Sequence, residues 1–324
     1  MISSALLFAV PFALQANAAS IPASAQAIGL DISATLQNIL ANTQQSDAYT
    51  YPTDLTRGIV VKPIHSHNDY WRDVPFYSAL SVGCASIEAD VWLYNDTLYV
   101  GHETSALTPA RTLDSLYIQP LLDTLKRQNP SSAFVTSPTK NGVYDTSSGQ
   151  TLLLFIDLKT NGTTTWPAVV AALQPLRSAG YLTTFNGTGV TVGPVTVIGT
   201  GNTPLDQIAP VQQRDYFFDA QLHLLNSTQS NITAAISPVA STAFSAQIGA
   251  INGTTFNSTQ LATLRSQIAL AKSKGILPRY WDTPGWPIST RNAVWGTLLE
   301  EGVGLLNADD LPAAAGFGAY YGLW

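Results

Sequence analysis

From Thr151 to Leu158 the chain is apolar almost without a break, the pattern of a parallel strand buried on both faces. Strand-like runs of this kind recur, separated by stretches with helical spacing. Ile59–Ile64 reads as a strand ending at His65, Pro75–Val82 as a helix stopped by Gly83, and Ser86–Leu93 as the next strand. Asn95-Asp96 predicts a turn before Leu98–Val100, and Leu113, Leu116, Leu121, Leu122 and Leu125 predict a helix over 113–127. The same alternation continues: a helix over 166–179, strands over 190–198 and 216–218, a helix over 261–274 closed by Gly275. It ends with a strand over 276–281, a helix over 292–301 and a strand over 303–306. Strand-then-helix alternation over ~250 residues, with no glycine-rich nucleotide loop after the first strand, predicts an α/β fold of the (β/α)8 TIM-barrel type. The barrel is expected to occupy residues 58–324 as one domain.

The segment before the barrel reads differently. Leu6–Leu14 is an apolar run followed by the small residues Ala16-Asn17-Ala18, so residues 1–18 are expected to be a signal peptide. Residues 19–57, rich in Ala, Ser, Thr and Gln, are expected to be a leader or a barrel-closing helix, with Ile32, Leu36 and Leu40 on one stripe of a helix over 30–40. No later stretch has the length and hydropathy of a bilayer span. Seven N-x-S/T sequons, at Asn95, Asn161, Asn186, Asn226, Asn231, Asn252 and Asn257, agree with export and predict N-linked glycans.

Composition narrows the partners. The 324 residues are 45% hydrophobic, 11% charged and carry a formal net charge of -6, with 15 scattered Lys and Arg, which excludes the clustered basic surface that nucleic acid requires. A secreted monomer is the expectation. The single cysteine, Cys84, permits no internal disulfide and reads as a buried small hydrophobe.

Three of the chain's four histidines fall close together, in His65-Ser66-His67-Asn68-Asp69-Tyr70 and Gly101-His102. Between them, Glu88 and Asp90 are two positions apart on a strand and therefore share a face. Two carboxylates inside a barrel repel one another unless a cation joins them, and oxygen ligands favour Mg²⁺ or Ca²⁺. An ion pair with Lys62 or Lys159 is the alternative reading. Asp157 ends the third strand as a further carboxylate, with Lys159 on the same face. All of these lie at strand C-termini, the face where barrel active sites form.

These segments, together with Ile87-Glu88-Ala89-Asp90-Val91, Val100-Gly101-His102, Phe155-Ile156-Asp157-Leu158-Lys159 and Arg279-Tyr280-Trp281-Asp282, resemble the PLC-like phosphodiesterase superfamily. Within it the chain is most similar to the fungal family named for altered inheritance of mitochondria protein 6, over roughly residues 58 to 310. Glycerophosphodiester phosphodiesterases and sphingomyelinase D share the order of His, Glu-x-Asp and His. The resemblance implies a metal-dependent phosphodiesterase with His65 and His102 as acid and base, Glu88, Asp90 and Asp157 as metal ligands, and Lys159, Asn68, Trp281 and His67 around the substrate. His65 and His67 compete for the first catalytic role, His65 being favoured because Asn68 stands three places after it. The implied substrate is a glycerophosphodiester, a lysophospholipid or a related phosphoester, cleaved in some members through a cyclic phosphate. A non-catalytic secreted glycoprotein on the same barrel is the competing function. A glycosidase is disfavoured, since Glu88 and Asp90 lie too close for its two carboxyls.

Overall fold

The computed structural model describes residues 33–43, 46–135, 140–320 and 322. The expected signal peptide, and Leu30 and Ile32 of the expected leading helix, lie outside the described residues. The chain divides into two units, Met1–Tyr51 and Pro52–Trp324. In the first, helix α1 spans Ala34–Thr43 and buries none of its residues. The second begins ahead of residue 58 because Thr56 is built into it: its hydroxyl donates to the Val143 carbonyl (2.7 Å) and accepts from Gln128 (2.8 Å).

The second unit runs β1 (Lys62–Ser66), α2 (Tyr77–Val82), β2 (Cys84–Tyr94), β3 (Thr97–Val100), α3 (Gln119–Gln128) and β4 (Leu152–Leu158). It continues through α4 (Gly162–Ala172), α5 (Gln174–Ser178), a small hairpin of β5 (Thr184–Phe185) and β6 (Val190–Thr191), then β7 (Val195–Gly201), β8 (Phe217–Gln221) and β9 (Val239–Ala243). Then come α6 (Phe244–Gln247), α7 (Ser258–Ser273), β10 (Leu277–Trp281), α8 (Ile288–Glu300), β11 (Leu305–Ala308) and α9 (Leu311–Tyr320). Strands β1, β2, β4, β7, β8, β9, β10 and β11 pair in parallel in that order, and β11 returns to β1, closing the eight-stranded (β/α)8 barrel. Strand β3 folds back antiparallel on the end of β2 through the Asn95-Asp96 turn, both residues at positive φ.

Several elements depart from the expected bounds for local reasons. The strand expected over 190–198 is split by Gly193-Pro194. Proline lacks an N–H for the ladder, and a side chain at Gly193 would strike the Leu182 backbone. The helix expected from 166 starts at Gly162, because the Asn161 side chain caps it by accepting from the Thr164 N–H at 3.3 Å. Strand β9 and helix α9 were not anticipated.

Alternation divides β4 between two cores. Leu152, Leu154, Ile156 and Leu158 face the helices, within the large cluster between barrel and outer layer. Leu153 and Phe155 face inward and meet Ile198, Phe217, Val239 and Leu305. Cys84 is buried in the outer layer and unpaired, and burial pushes its thiol above the ordinary range. Among the described residues no helix is long and apolar enough to cross a membrane.

Candidate active site at the barrel mouth

Above the apolar lumen residues, inward positions turn polar. Glu88 and Asp90 lie on the inner face of β2, Asp157 on β4 directly paired with Asp90, and Arg279 on β10. One oxygen from each of Glu88, Asp90 and Asp157 lies within 4.8 Å of the others, a grouping that could hold a metal ion. Gly201 makes room for it: a Cβ there would collide with Asp157 Oδ1. The cluster opens into a cavity of about 680 Å³ lined also by His67, Asn68, His102, Lys159, Asp219, His223, Arg279 and Trp281.

The two histidines of the first strand part company here. His65 has no exposed surface and does not line the cavity. Its Nδ1 is hydrogen-bonded to Ser86 Oγ (2.7 Å), its Nε2 lies 3.3 Å from Glu88 Oε2, and its ring meets Phe155 edge-on. Burial, helped by the Arg279 charge, pushes its pKa down to about 3, so His65 is a neutral strut. His67, two positions on, lies at the mouth. Its Nδ1 is 2.8 Å from Asp309 Oδ1 and its Nε2 is 3.8 Å from Glu88 Oε2. The sequence favoured His65 because Asn68 stands three places after it, but same-face alternation carries His65 below the floor and His67 to the cavity wall.

His102 follows β3 and is 44% exposed. Its Nδ1 meets the Tyr70 hydroxyl at 3.0 Å and Asp90 Oδ2 at 3.4 Å, and the Trp71 ring lies 5.1 Å away. Tyr70 donates to Asp90 Oδ2 at 2.6 Å, and burial together with the Asp90 charge raises its phenol far above the ordinary range, so it keeps its proton. Asn68 has left-handed backbone (φ 50°), which lets its N–H donate to Glu88 Oε2 at 3.1 Å. Asp69 is fully buried and ties the loop down by accepting from Ser66 Oγ (2.7 Å) and the Phe76 N–H (2.6 Å).

Charge is unevenly compensated. Burial alone would raise Glu88, but Arg279, 3.7 Å away, and His65 outweigh it and hold this carboxyl well below the usual range. Burial raises Asp90, with the Glu88 charge adding to it, and pushes Asp157 up to about 6. Lys159 Nζ stands 3.0 Å from Asp90 Oδ2 and 3.2 Å from Asp157 Oδ2. Lys62 plays no such part, since its ammonium donates to the Val60 and Val82 carbonyls. Asp90 Oδ1 is buried with no hydrogen-bond partner among the described residues. A desolvated carboxylate oxygen without a donor is costly, and a hard cation would satisfy it, so the acidic set fits a divalent ion.

Residues 53–219 match the AIM6-like phosphodiesterase domain. The chain is 56% identical over 312 residues to an altered inheritance of mitochondria protein 6 homolog of Arthroderma benhamiae, covering 93% of this chain and 98% of that one. The chain belongs to this family. More distant members are the altered inheritance of mitochondria protein 6 of Eremothecium gossypii, 36% identical over 279 residues (81% of this chain, 71% of that one), and that of Lachancea thermotolerans, 35% identical over 311 residues (86% and 71%). No solved structure matches the chain. The AIM6-like match contains His67, Glu88, Asp90, His102, Asp157 and Lys159, whereas Arg279 and Asp309 lie beyond it.

Trp281, 42% exposed, lines the cavity from β10. Sequence reasoning gave no role to Tyr70, Arg279 or Asp309. Arg279 shares a strand face with Trp281, and that alternation was the available signal for it. It is the lumen's buried cation, bonded to Asn307 Oδ1 (3.0 Å) and Ser241 Oγ (3.3 Å) and 3.8 Å from Asp219 Oδ2.

Proposed function

We propose that this protein is a secreted phosphoric diester hydrolase acting on a glycerophosphodiester, a lysophospholipid or a related phosphoester. One observation carries the reading: His67 and His102 line one cavity, each anchored through Nδ1, one beside Glu88 and the other beside Asp90. Cleaving a phosphodiester needs a base for the attacking hydroxyl and an acid for the leaving alkoxide. His67 is the base. Asp309 accepts from Nδ1–H, fixes the tautomer that leaves Nε2 unprotonated, and stabilises the imidazolium once the proton has arrived. His102 is the acid, its Nδ1 held by Tyr70 and Asp90 so that Nε2 delivers a proton to the leaving oxygen. The attacking hydroxyl comes from water or from the substrate, the second giving a cyclic phosphate.

Glu88, Asp90 and Asp157 would hold Mg²⁺ or Ca²⁺, which supplies positive charge to a nonbridging phosphate oxygen. Lys159 adds a second charge, and Trp281 with the β8–β9 wall receives the alcohol portion. Export is supported by the apolar run at 6–14 and by the exposure of all seven sequon asparagines, the proposed glycan sites. A monomer is the proposed state.

The test is product release from a panel of glycerophosphodiesters and lysophospholipids with Mg²⁺. His67→Ala and His102→Ala should each lower kcat/KM by about 10²–10⁴. Activity that survives both substitutions and chelation defeats the proposal.

A further inference from the structure

The position best placed to bridge Asp90 and Asp157 is already taken by a cation of the chain itself. Lys159 Nζ lies 3.0 Å from Asp90 Oδ2 and 3.2 Å from Asp157 Oδ2, and these carboxylates are two of the three that converge within 4.8 Å. A hard divalent ion binds carboxylate oxygens at about 2.0–2.6 Å. An ion on Asp90 and Asp157 would therefore sit a few ångströms from the ammonium, where the two cations repel strongly in a partly desolvated site. Yet the ammonium does not complete the site. It engages only the Oδ2 atoms, and Asp90 Oδ1, on a residue 1% exposed, keeps no partner among the described residues. Neither is it locked in, for the Lys159 side chain is a quarter exposed on a flexible four-carbon stem.

We infer that Lys159 is a tethered cation that competes with the divalent ion for Asp90 and Asp157, and that it withdraws toward the substrate phosphate when the ion binds. The inference rests on the metal-dependent reading above. Without the ion, the lysine offsets the mutual repulsion of three lumen carboxylates. When ion and phosphodiester arrive together, the ammonium exchanges two carboxylates for the phosphate, so each ligand favours the other. Such linkage is reciprocal.

Ion binding is measured on the full chain without substrate, by Mg²⁺ calorimetry and by Mn²⁺ electron paramagnetic resonance. Wild type is compared with Lys159→Met, Lys159→Gln and Lys159→Arg, with circular dichroism confirming the fold. Removing the charge should tighten ion binding at least about tenfold in the Met and Gln variants, and the Arg variant should stay near wild type. Inorganic phosphate should tighten ion binding in wild type more than in the Met variant. Wild-type binding that the Met and Gln substitutions leave unchanged or weaken overturns the lysine's role and spares the metal site. No binding by any variant overturns both.

Discussion

Gly201 lacks a side chain at the one place where a Cβ would enter the Asp157 carboxylate, and its φ of 63° is one that β-carbon-bearing residues avoid. Gly201→Ala should therefore push Asp157 out of the acidic cluster. Mn²⁺ affinity should fall about tenfold or more, with a stability loss of about 1–2 kcal/mol in denaturant melts. Unchanged Mn²⁺ affinity would mean that Asp157 does not ligate. The residue scale also shows what a linear reading resolves. Glu88, Asp90, Asp157 and Lys159 were legible because alternation on two strands fixes which faces they share, and the closed barrel brings them together. The order of His65 and His67 was not, because alternation gives a shared face but no depth. Only the closed barrel places His65 beneath the floor and His67 in the cavity. Asp309 stands far from His67 in sequence, and only the return of β11 beside β1 unites them.

At the level of elements, strands with apolar, branched side chains were legible and β9 was not. Val239-Ala240-Ser241-Thr242-Ala243 is short and mostly small, so its pattern is too weak to mark a strand. Its place is set by neighbours, β8 on one side and β10 on the other. Helix α3 was anticipated with an earlier start, and residues 114–118 instead form a wider π-type turn leading into it. Strand β4 shows how one element serves both core and site. Phe155 is fully buried, its ring under His65 at 4.8 Å and beside the Arg279 guanidinium at 5.1 Å. Phe155→Ala should cost about 3–5 kcal/mol, read from the shift in the denaturation midpoint, and should depress activity beyond the loss of folded protein. A variant that loses stability but keeps full specific activity would show that the lumen beneath the mouth is not needed to position Glu88.

For the molecule as a whole, the closed barrel buries a polar layer between its apolar lumen and its mouth, and pH should read that layer directly. In the unfolded chain His65 titrates near its ordinary value of 6.5, whereas burial and then Arg279 bring it down to about 3 in the fold. Below pH 6.5 the unfolded chain therefore takes up a proton that the folded one refuses. The stability tied to neutral His65 is complete above 6.5 and drains away as pH falls toward 3, at up to about 1.4 kcal/mol per pH unit. Asp157 and Asp219 act in the opposite sense. Burial raises each to about 6, so between pH 6 and 3.8 the folded form holds protons that the unfolded form has released, and acidification stabilises it. The wild-type curve mixes these effects, and the informative quantity is its difference from His65→Gln, which keeps hydrogen-bonding groups near Ser86 and Glu88 but cannot titrate. That difference should be constant above pH 7 and should shrink steadily from 6.5 downward in urea melts. Parallel curves across this range would show that His65 is protonated as readily in the fold as outside it, and that the enclosed strut beneath His67 does not exist in solution.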